Sequence, residues 1–356
     1  MEPQLYRKTS LYINNMITFK PKNVTKKLLS ILPDRARDVL EKRYGLGATP
    51  DTHTLESIGK IYGITRERVR QIENYGIQTI QKSDLYSEFD TAFEELKDAV
   101  HTLGGVVSEQ DLFSALTQEQ ALQNHLYFML VVGNPFERIR ENDAFNCRWC
   151  VEKKLSETVE RAIQNVMKTI GEDELVSDED MLGRLRVELV HLEDRYHEED
   201  VLKRWLSMSK LIDRNPLGEW GHTASPNVRA KGIRDYAYLA VKRHGSPMHF
   251  KEVAESIKGL FGKKAHVATT HNELIKDQRF VLVGRGLYAL SEWGYSAGVV
   301  KDVLRQILAT HGPLTREEII DKVRKERYVK DNTIIVNLQD TVLFKRLPDG
   351  HYLLVE

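Results

Sequence analysis

The 356-residue chain is long enough for two or more domains, and with 41% hydrophobic and 29% charged residues its composition is that of a soluble protein. No run of about 18 uncharged apolar residues occurs, and the first twenty residues carry Glu2, Arg7, Lys8 and Lys20; neither a membrane span nor a secretory leader is expected, and the location is expected to be cytoplasmic. Lys+Arg and Asp+Glu both number 52, yet residues 20–82 hold 13 bases against 7 acids, residues 84–200 hold 11 against 27, and residues 201–356 hold 26 against 17. Phosphate attracts the two ends of such a chain and repels its middle.

After an N-terminal arm (1–24), residues 25–82 place apolar side chains at helical spacing: Leu28, Leu29, Ile31 and Leu32, then Val39 and Leu40, then Leu55, Ile58 and Ile61, then Val69, Ile72 and Ile80. Pro33 opens a helix, residues 45–50 form a loop, and Thr54 and Thr65 stand where N-caps belong. From Thr54 to Glu73 the pattern is a helix, a tight turn at Gly63 and a second helix. That arrangement lays the second helix in a major groove while the first braces against the backbone. Val69, Ile72, Gly76 and Ile80 share one face of the second helix, and Arg66, Glu67, Arg70 and Gln71 lie away from it. Arg bonds guanine bidentately, Gln bonds adenine and Glu accepts from a cytosine amine, so these four form a base-reading set.

Beyond Lys82 an approximate repeat governs the chain. The stretch beginning Gly245, Ser246, Pro247, Met248, His249 returns 67 residues later as Gly312, Pro313, Leu314, Thr315, Arg316, and the stretches at Gly105–Ser108 and Glu174–Ser177 have the same look. Strand pairs close the last two copies, 279–283 with 287–290 and 344–347 with 352–355. Helix, helix, helix, hairpin is winged-helix order, which predicts four such units: two acidic ones (86–152 and 155–222) and two basic ones (231–295 and 298–356). Breakers near Pro216 and Pro226 mark the linker between the pairs.

Catalytic signals are weak. Cys147 and Cys150 lack a second ligand pair with zinc spacing and sit among Ala144, Phe145 and Trp149 as in a half-buried strand. Glu95 and Lys97 have a nuclease-like spacing but lie in a helical pattern, and Gly284 and Gly286 lack the third glycine of a nucleotide loop. The twelve histidines show no ligand grouping. No enzyme activity, metal or cofactor is expected.

The run from Thr65 to Glu73 resembles the recognition helix of region 4 of the sigma-70 family, and Leu29–Leu40 followed by Arg43–Leu46 resembles the preceding helices. The resemblance implies that Arg66, Glu67 and Gln71 read a promoter −35 element and that Thr54, Leu55 and Arg68, with the upstream Arg35, Arg37 and Arg43, touch phosphates. It also implies docking on the flap of the RNA polymerase β subunit. Asn74 and Tyr75 depart from the family pattern of small residues around a lysine, and nothing resembles region 2, the unit that melts the −10 element. Residues 231–295, through Pro247–Val253, Asp277–Val281 and Tyr288–Trp293, resemble the HARE-HTH domain, a winged helix also found in the delta subunit of some bacterial RNA polymerases.

The expected fold is therefore mainly α with short β wings, a sigma region 4 helix-turn-helix followed by tandem winged-helix-like units. The expected function is a bacterial-type, nucleoid-associated transcription factor with double-stranded DNA and core RNA polymerase as partners. A DNA-binding accessory subunit of a restriction or defence system is the alternative.

Overall fold

The computed structural model describes residues 16–295 and 299–355, and the chain forms two compact units, the first running to Asp213 and the second from Arg214. Most of the N-terminal arm (residues 1–15) and the ends of the last expected unit (298 and 356) lie outside the described residues. The architecture is mainly helical with small antiparallel sheets.

Among the described residues the first unit opens with α1 (Pro21–Ser30), α2 (Asp34–Tyr44), α3 (Leu55–Tyr62) and α4 (Arg66–Gln81), so the first described helix begins at Pro21, inside the expected arm. The short α5 (Asp84–Ser87) leads to α6 (Asp90–Thr102), β1 (Val106–Ser108), α7 (Glu109–Leu116), α8 (Gln120–Val132), β2 (Glu137–Ile139) and β3 (Arg148–Cys150), the three strands lying in the order β1, β3, β2. Next come α9 (Lys153–Lys168), α10 (Asp178–Glu188), a 3-10 turn (Asp194–His197) and α11 (Glu199–Ser207). The hairpin of β4 (Ile212–Arg214) and β5 (Trp220–His222) holds the boundary between the units.

The second unit contains α12 (Ile233–His244), β6 (Met248–His249), α13 (Phe250–Phe261), α14 (Val267–Lys276), β7 (Phe280–Gly284) and β8 (Leu287–Leu290), with the strands ordered β6, β8, β7. It ends with α15 (Val300–His311), α16 (Arg316–Glu326), α17 (Asp331–Leu338) and the hairpin of β9 (Phe344–Arg346) and β10 (Tyr352–Leu354).

Helix, helix, helix, hairpin thus recurs four times after α4, and the repeated sequence turn has one job in each copy. Ser108, Ser177, His249 and Thr315 each cap the second helix, accepting from the main-chain N–H of Asp111 (3.0 Å), Asp180 (3.1 Å), Lys251 (3.3 Å) and Glu318 (3.4 Å). A cap satisfies one of the orphan N–H groups of a first turn, which is why a polar residue recurs there.

The sequence pattern divides residues 25–82 from 86–152, but one hydrophobic core joins them. It runs without interruption from Val24, Leu28 and Leu40 through Phe93 and Leu96 to Phe128, Met129 and Trp149, all buried. Polar bonds pin the same seam: Thr25 Oγ1 and His125 Nδ1 lie 2.7 Å apart in the interior, and Gln81 Nε2 donates to the Val132 carbonyl at 2.9 Å. The second acidic repeat is attached to the first by Trp205, whose Nε1 donates to the Val106 carbonyl at 3.0 Å.

In the second unit Arg279 holds the start of α12 to the end of α14. Its Nη2 donates to Asp235 at 3.0 Å and to Asp277 at 2.6 Å, and its Nη1 to Asn227 at 3.1 Å. The Asp277-Gln278-Arg279 string is therefore a structural clamp.

Candidate nucleic-acid interface

The site is assembled from α3 and α4. Thr54 caps α3 by accepting from Ser57 N at 3.1 Å, and Thr65 caps α4 by accepting from Arg68 N at 3.2 Å. Between them Gly63 takes φ 62°, a left-handed conformation that costs a side-chain-bearing residue energy. Val39, Ile58 and Val69 are fully buried where α2, α3 and α4 meet, with Leu55, Tyr62, Ile64 and Ile72 around them. This core fixes the angle between the two helices.

A polar network locks the far side. Glu73 on α4 is buried, accepts from Tyr44 Oη at 2.8 Å, and pairs with Arg43 Nε at 3.3 Å. Burial and the Glu73 carboxylate push the Tyr44 phenol far above its ordinary value, so it stays a donor. Near the turn Tyr62 Oη donates to Asp38, which also accepts from Lys42. Burial pulls Asp38 upward, but the hydrogen bonds from Lys42 and Tyr62 outweigh it and leave the carboxyl below its ordinary value. Desolvation and Asp38 push Tyr62 up to about 12. Neither Tyr44 nor Tyr62 belongs to the expected site set; a tyrosine followed by a buried glutamate 29 positions later gives no local pattern to read.

Arg66, Glu67, Arg70 and Gln71 are all exposed on α4. Glu67 accepts from Arg70 twice, at 2.9 and 2.7 Å, and Gln71 accepts from Arg68 at 2.9 Å. Arg66 has no side-chain hydrogen bond or ion pair among the described residues. The Arg70 hydrogen bond holds the Glu67 carboxyl below its ordinary value.

The six residues assigned to phosphate divide by environment. Arg35 and Arg68 are exposed and both line a groove of about 370 Å³ between α2 and α4, where the Arg35 guanidinium lies 5.2 Å from the Tyr62 ring centre. Thr54 and Leu55 stand at the start of α3; the Leu55 side chain joins the core, so what it presents is a first-turn N–H. Arg37 is half-buried and engaged, donating to the carbonyls of Leu29 (3.2 Å), Ser30 (3.3 Å) and Leu32 (3.0 Å) at the C-terminal end of α1 and facing Asp34 at 3.6 Å. Arg43 is likewise occupied, with Glu73 and with the His53 carbonyl at 3.2 Å.

Elsewhere Cys147 and Cys150 are free thiols, and burial pushes the Cys150 thiol up to about 11, away from the reactive thiolate. Among the described residues no group of three or more His, Cys, Asp or Glu side chains could hold a metal ion, and no helix is long and apolar enough to cross a membrane.

Two capped helices around a left-handed glycine, the second presenting Arg, Glu, Arg and Gln outward, define a DNA-binding helix-turn-helix. Residues 28–82 match the family model of Sigma-70, region 4. The match gives this part of the chain a sigma-factor-like DNA-binding character tied to transcription.

Proposed function

We propose that this protein is a non-catalytic transcription factor that recognises promoter or operator duplex DNA through α3 and α4 and acts together with RNA polymerase. The observation that carries the reading is the outward set on α4, held over a rigid core inside a segment similar to sigma region 4. Arg66, Glu67, Arg70 and Gln71 read base edges, and Arg35, Arg68, Thr54 and the Leu55 N–H hold phosphates. The four later repeats act as winged-helix-like units, 231–295 being the HARE-HTH-like one. Core polymerase is the protein partner, with the β flap as a docking point. The apolar face of α1 that carries Val24 and Leu28 belongs to the core shared with α8, so docking uses another face.

Nothing in this sequence resembles region 2, so the chain is expected to act on promoters opened by another factor, because capturing flipped bases takes unstacking energy and an aromatic pocket built for the purpose. The test is run-off transcription with core polymerase from the same organism, with and without its main sigma factor, beside a pull-down of core. Retention of core and modulation of sigma-dependent transcripts are expected. Initiation by core plus this protein alone would overturn the accessory role. Retention of a nuclease or methyltransferase in place of polymerase would move the protein to the defence-associated class.

A further inference from the structure

Of the third repeat's helices, α14 stands where a winged helix places its groove-reading helix, and its surface is unusual for that task. Thr270 and Leu274 are buried and fix the inward face. With 3.6 residues per turn, Ala268, Thr269, Asn272, Ile275 and Lys276 fall on the opposite side, and all five are exposed, Ile275 at 61%. From His266 to Ile275 the helix offers no Arg or Lys, the side chains that read guanine, and Lys276 is the one cation of the face, at its C-terminal end. Ahead of Lys276 the face offers one amide and a set of methyl groups.

Further cations stand near this face. Lys263 and Lys264 are exposed just ahead of α14, and Arg285 is exposed at the turn of the β7–β8 hairpin. The hairpin turn is tied to the helix: His271 of α14 stacks on Phe250 with ring centres 4.2 Å apart, and Phe250 N donates to the Gly286 carbonyl at 2.9 Å. The uncharged positions Ala268, Thr269, Asn272 and Ile275, with a basic loop before them, Lys276 at their end and a basic turn on the neighbouring hairpin, suit a duplex edged by phosphates.

We propose that α14 is a second duplex-reading element, selective for A·T base pairs. Asn272 makes the bidentate contact to adenine N6 and N7, and Ala268, Thr269 and Ile275 contact thymine methyl groups. Lys263, Lys264 and Arg285 hold the backbone without reading sequence. The proposal rests on reading 231–295 as a winged helix, and it predicts a composite DNA site with one part read by α4 and an A·T-rich part read by α14.

The experiment uses the full chain and fluorescence anisotropy on four duplexes: A·T-rich, G·C-rich, the A·T-rich duplex with 7-deazaadenine for adenine, and the same duplex with uracil for thymine. The first replacement removes the N7 acceptor and the second removes the methyl. Each should weaken binding, the 7-deaza change by about five- to tenfold, the lower part of the range of a bidentate contact, since one of its two bonds is lost. Asn272→Ala should lose at least that factor on the unmodified A·T-rich duplex and become insensitive to 7-deazaadenine, while Asn272→Gln, which can also bond adenine bidentately, should recover most of the loss. Asn272 is exposed, so both variants should keep the wild-type melting transition. Equal affinity of wild type and Asn272→Ala on all four duplexes would overturn the proposal. Failure of the sigma-like reading would look different, as loss of selection by the α4 residues with the Asn272-dependent A·T preference intact.

Discussion

Asn124 on α8 donates from its single amide nitrogen to the carbonyl of Gly45, at 3.1 Å, and also to that of Pro50, at 2.8 Å. These two carbonyls are the ends of the loop that carries the chain from α2 toward α3, so a residue of the acidic repeat sets the entry to the DNA-binding element. Gly45 is at φ 62°, and a Cβ there would lie 2.5 Å from the Asn124 amide nitrogen and 2.6 Å from the Pro50 carbonyl. Asn124→Ala leaves both carbonyls short of a partner and should lower stability by about 1–3 kcal/mol. Gly45→Ala should cost at least as much, since strain and a close contact act together. Urea unfolding of both variants checks the claim, and unchanged midpoints would refute it.

The shared core makes a second prediction. Ending the chain after Lys82 would expose the faces of Val24, Leu28 and Leu40 that pack in one cluster with Phe128 and Met129. A fragment of residues 16–82 should show a broad, low-temperature transition, whereas residues 16–213 should melt cooperatively. Equal melting of the two would show that the helix-turn-helix folds without its acidic neighbour.

His125 gives the same seam a pH dependence. Burial, and then the charge of Lys22, push its imidazole below the ordinary 6.5. The unfolded chain therefore binds a proton more readily than the folded one, so stability is full above about pH 6.5 and falls as pH drops through the unfolded value toward the folded one. Urea midpoints between pH 5 and 7.5 should decline more steeply on the acid side for wild type than for His125→Gln. Parallel curves would remove His125 from the account.

Legibility in the sequence followed locality. The Gly63 turn, the threonine caps and the outward face of α4 depend on neighbours within a few positions, and helical spacing displays them directly. The two closing hairpins, 279–283 with 287–290 and 344–347 with 352–355, are legible for the same reason, because each pairs strands across a short turn. The seam between α1, the 45–50 loop and α8 was not, since Thr25 to His125 and Gly45 to Asn124 span 100 and 79 positions. Arg37 and Arg43 show the limit most clearly: by type and position they look like phosphate cations, and only the fold reveals the carbonyls and the buried Glu73 that occupy them.

That division of the arginines can be measured. Arg35→Ala and Arg68→Ala should each reduce the slope of log K against log salt by roughly 0.9, the contribution of one phosphate contact, with little change in melting temperature. Arg37→Ala should leave the slope unchanged and lower stability by about 1–3 kcal/mol, because three carbonyls at the end of α1 lose a donor. A slope change for Arg37→Ala would return it to the phosphate set.

The Glu67 and Arg70 ion pair decides how the base-reading helix behaves on the wrong sequence. Both Arg70 bonds to Glu67 are made in the free protein, so the Arg70 guanidinium is already committed, and a carboxylate stands beside it. On random DNA nothing compensates for breaking that pair, whereas a site with a guanine for Arg70 and a cytosine amine for Glu67 satisfies both partners. Glu67→Gln should therefore tighten binding to random duplex several-fold and weaken binding to the preferred duplex, lowering the specificity ratio from both directions. Removal of any negative charge near DNA would also tighten random binding, and a double-mutant cycle separates the two explanations. In an Arg70→Gln background a plain charge effect of Glu67→Gln persists at full size, while release of Arg70 has nothing left to release. Anisotropy on a random and a selected duplex, with wild type, both single variants and the double variant, gives the coupling. A cycle that closes without coupling on random DNA would show that Glu67 does not restrain Arg70.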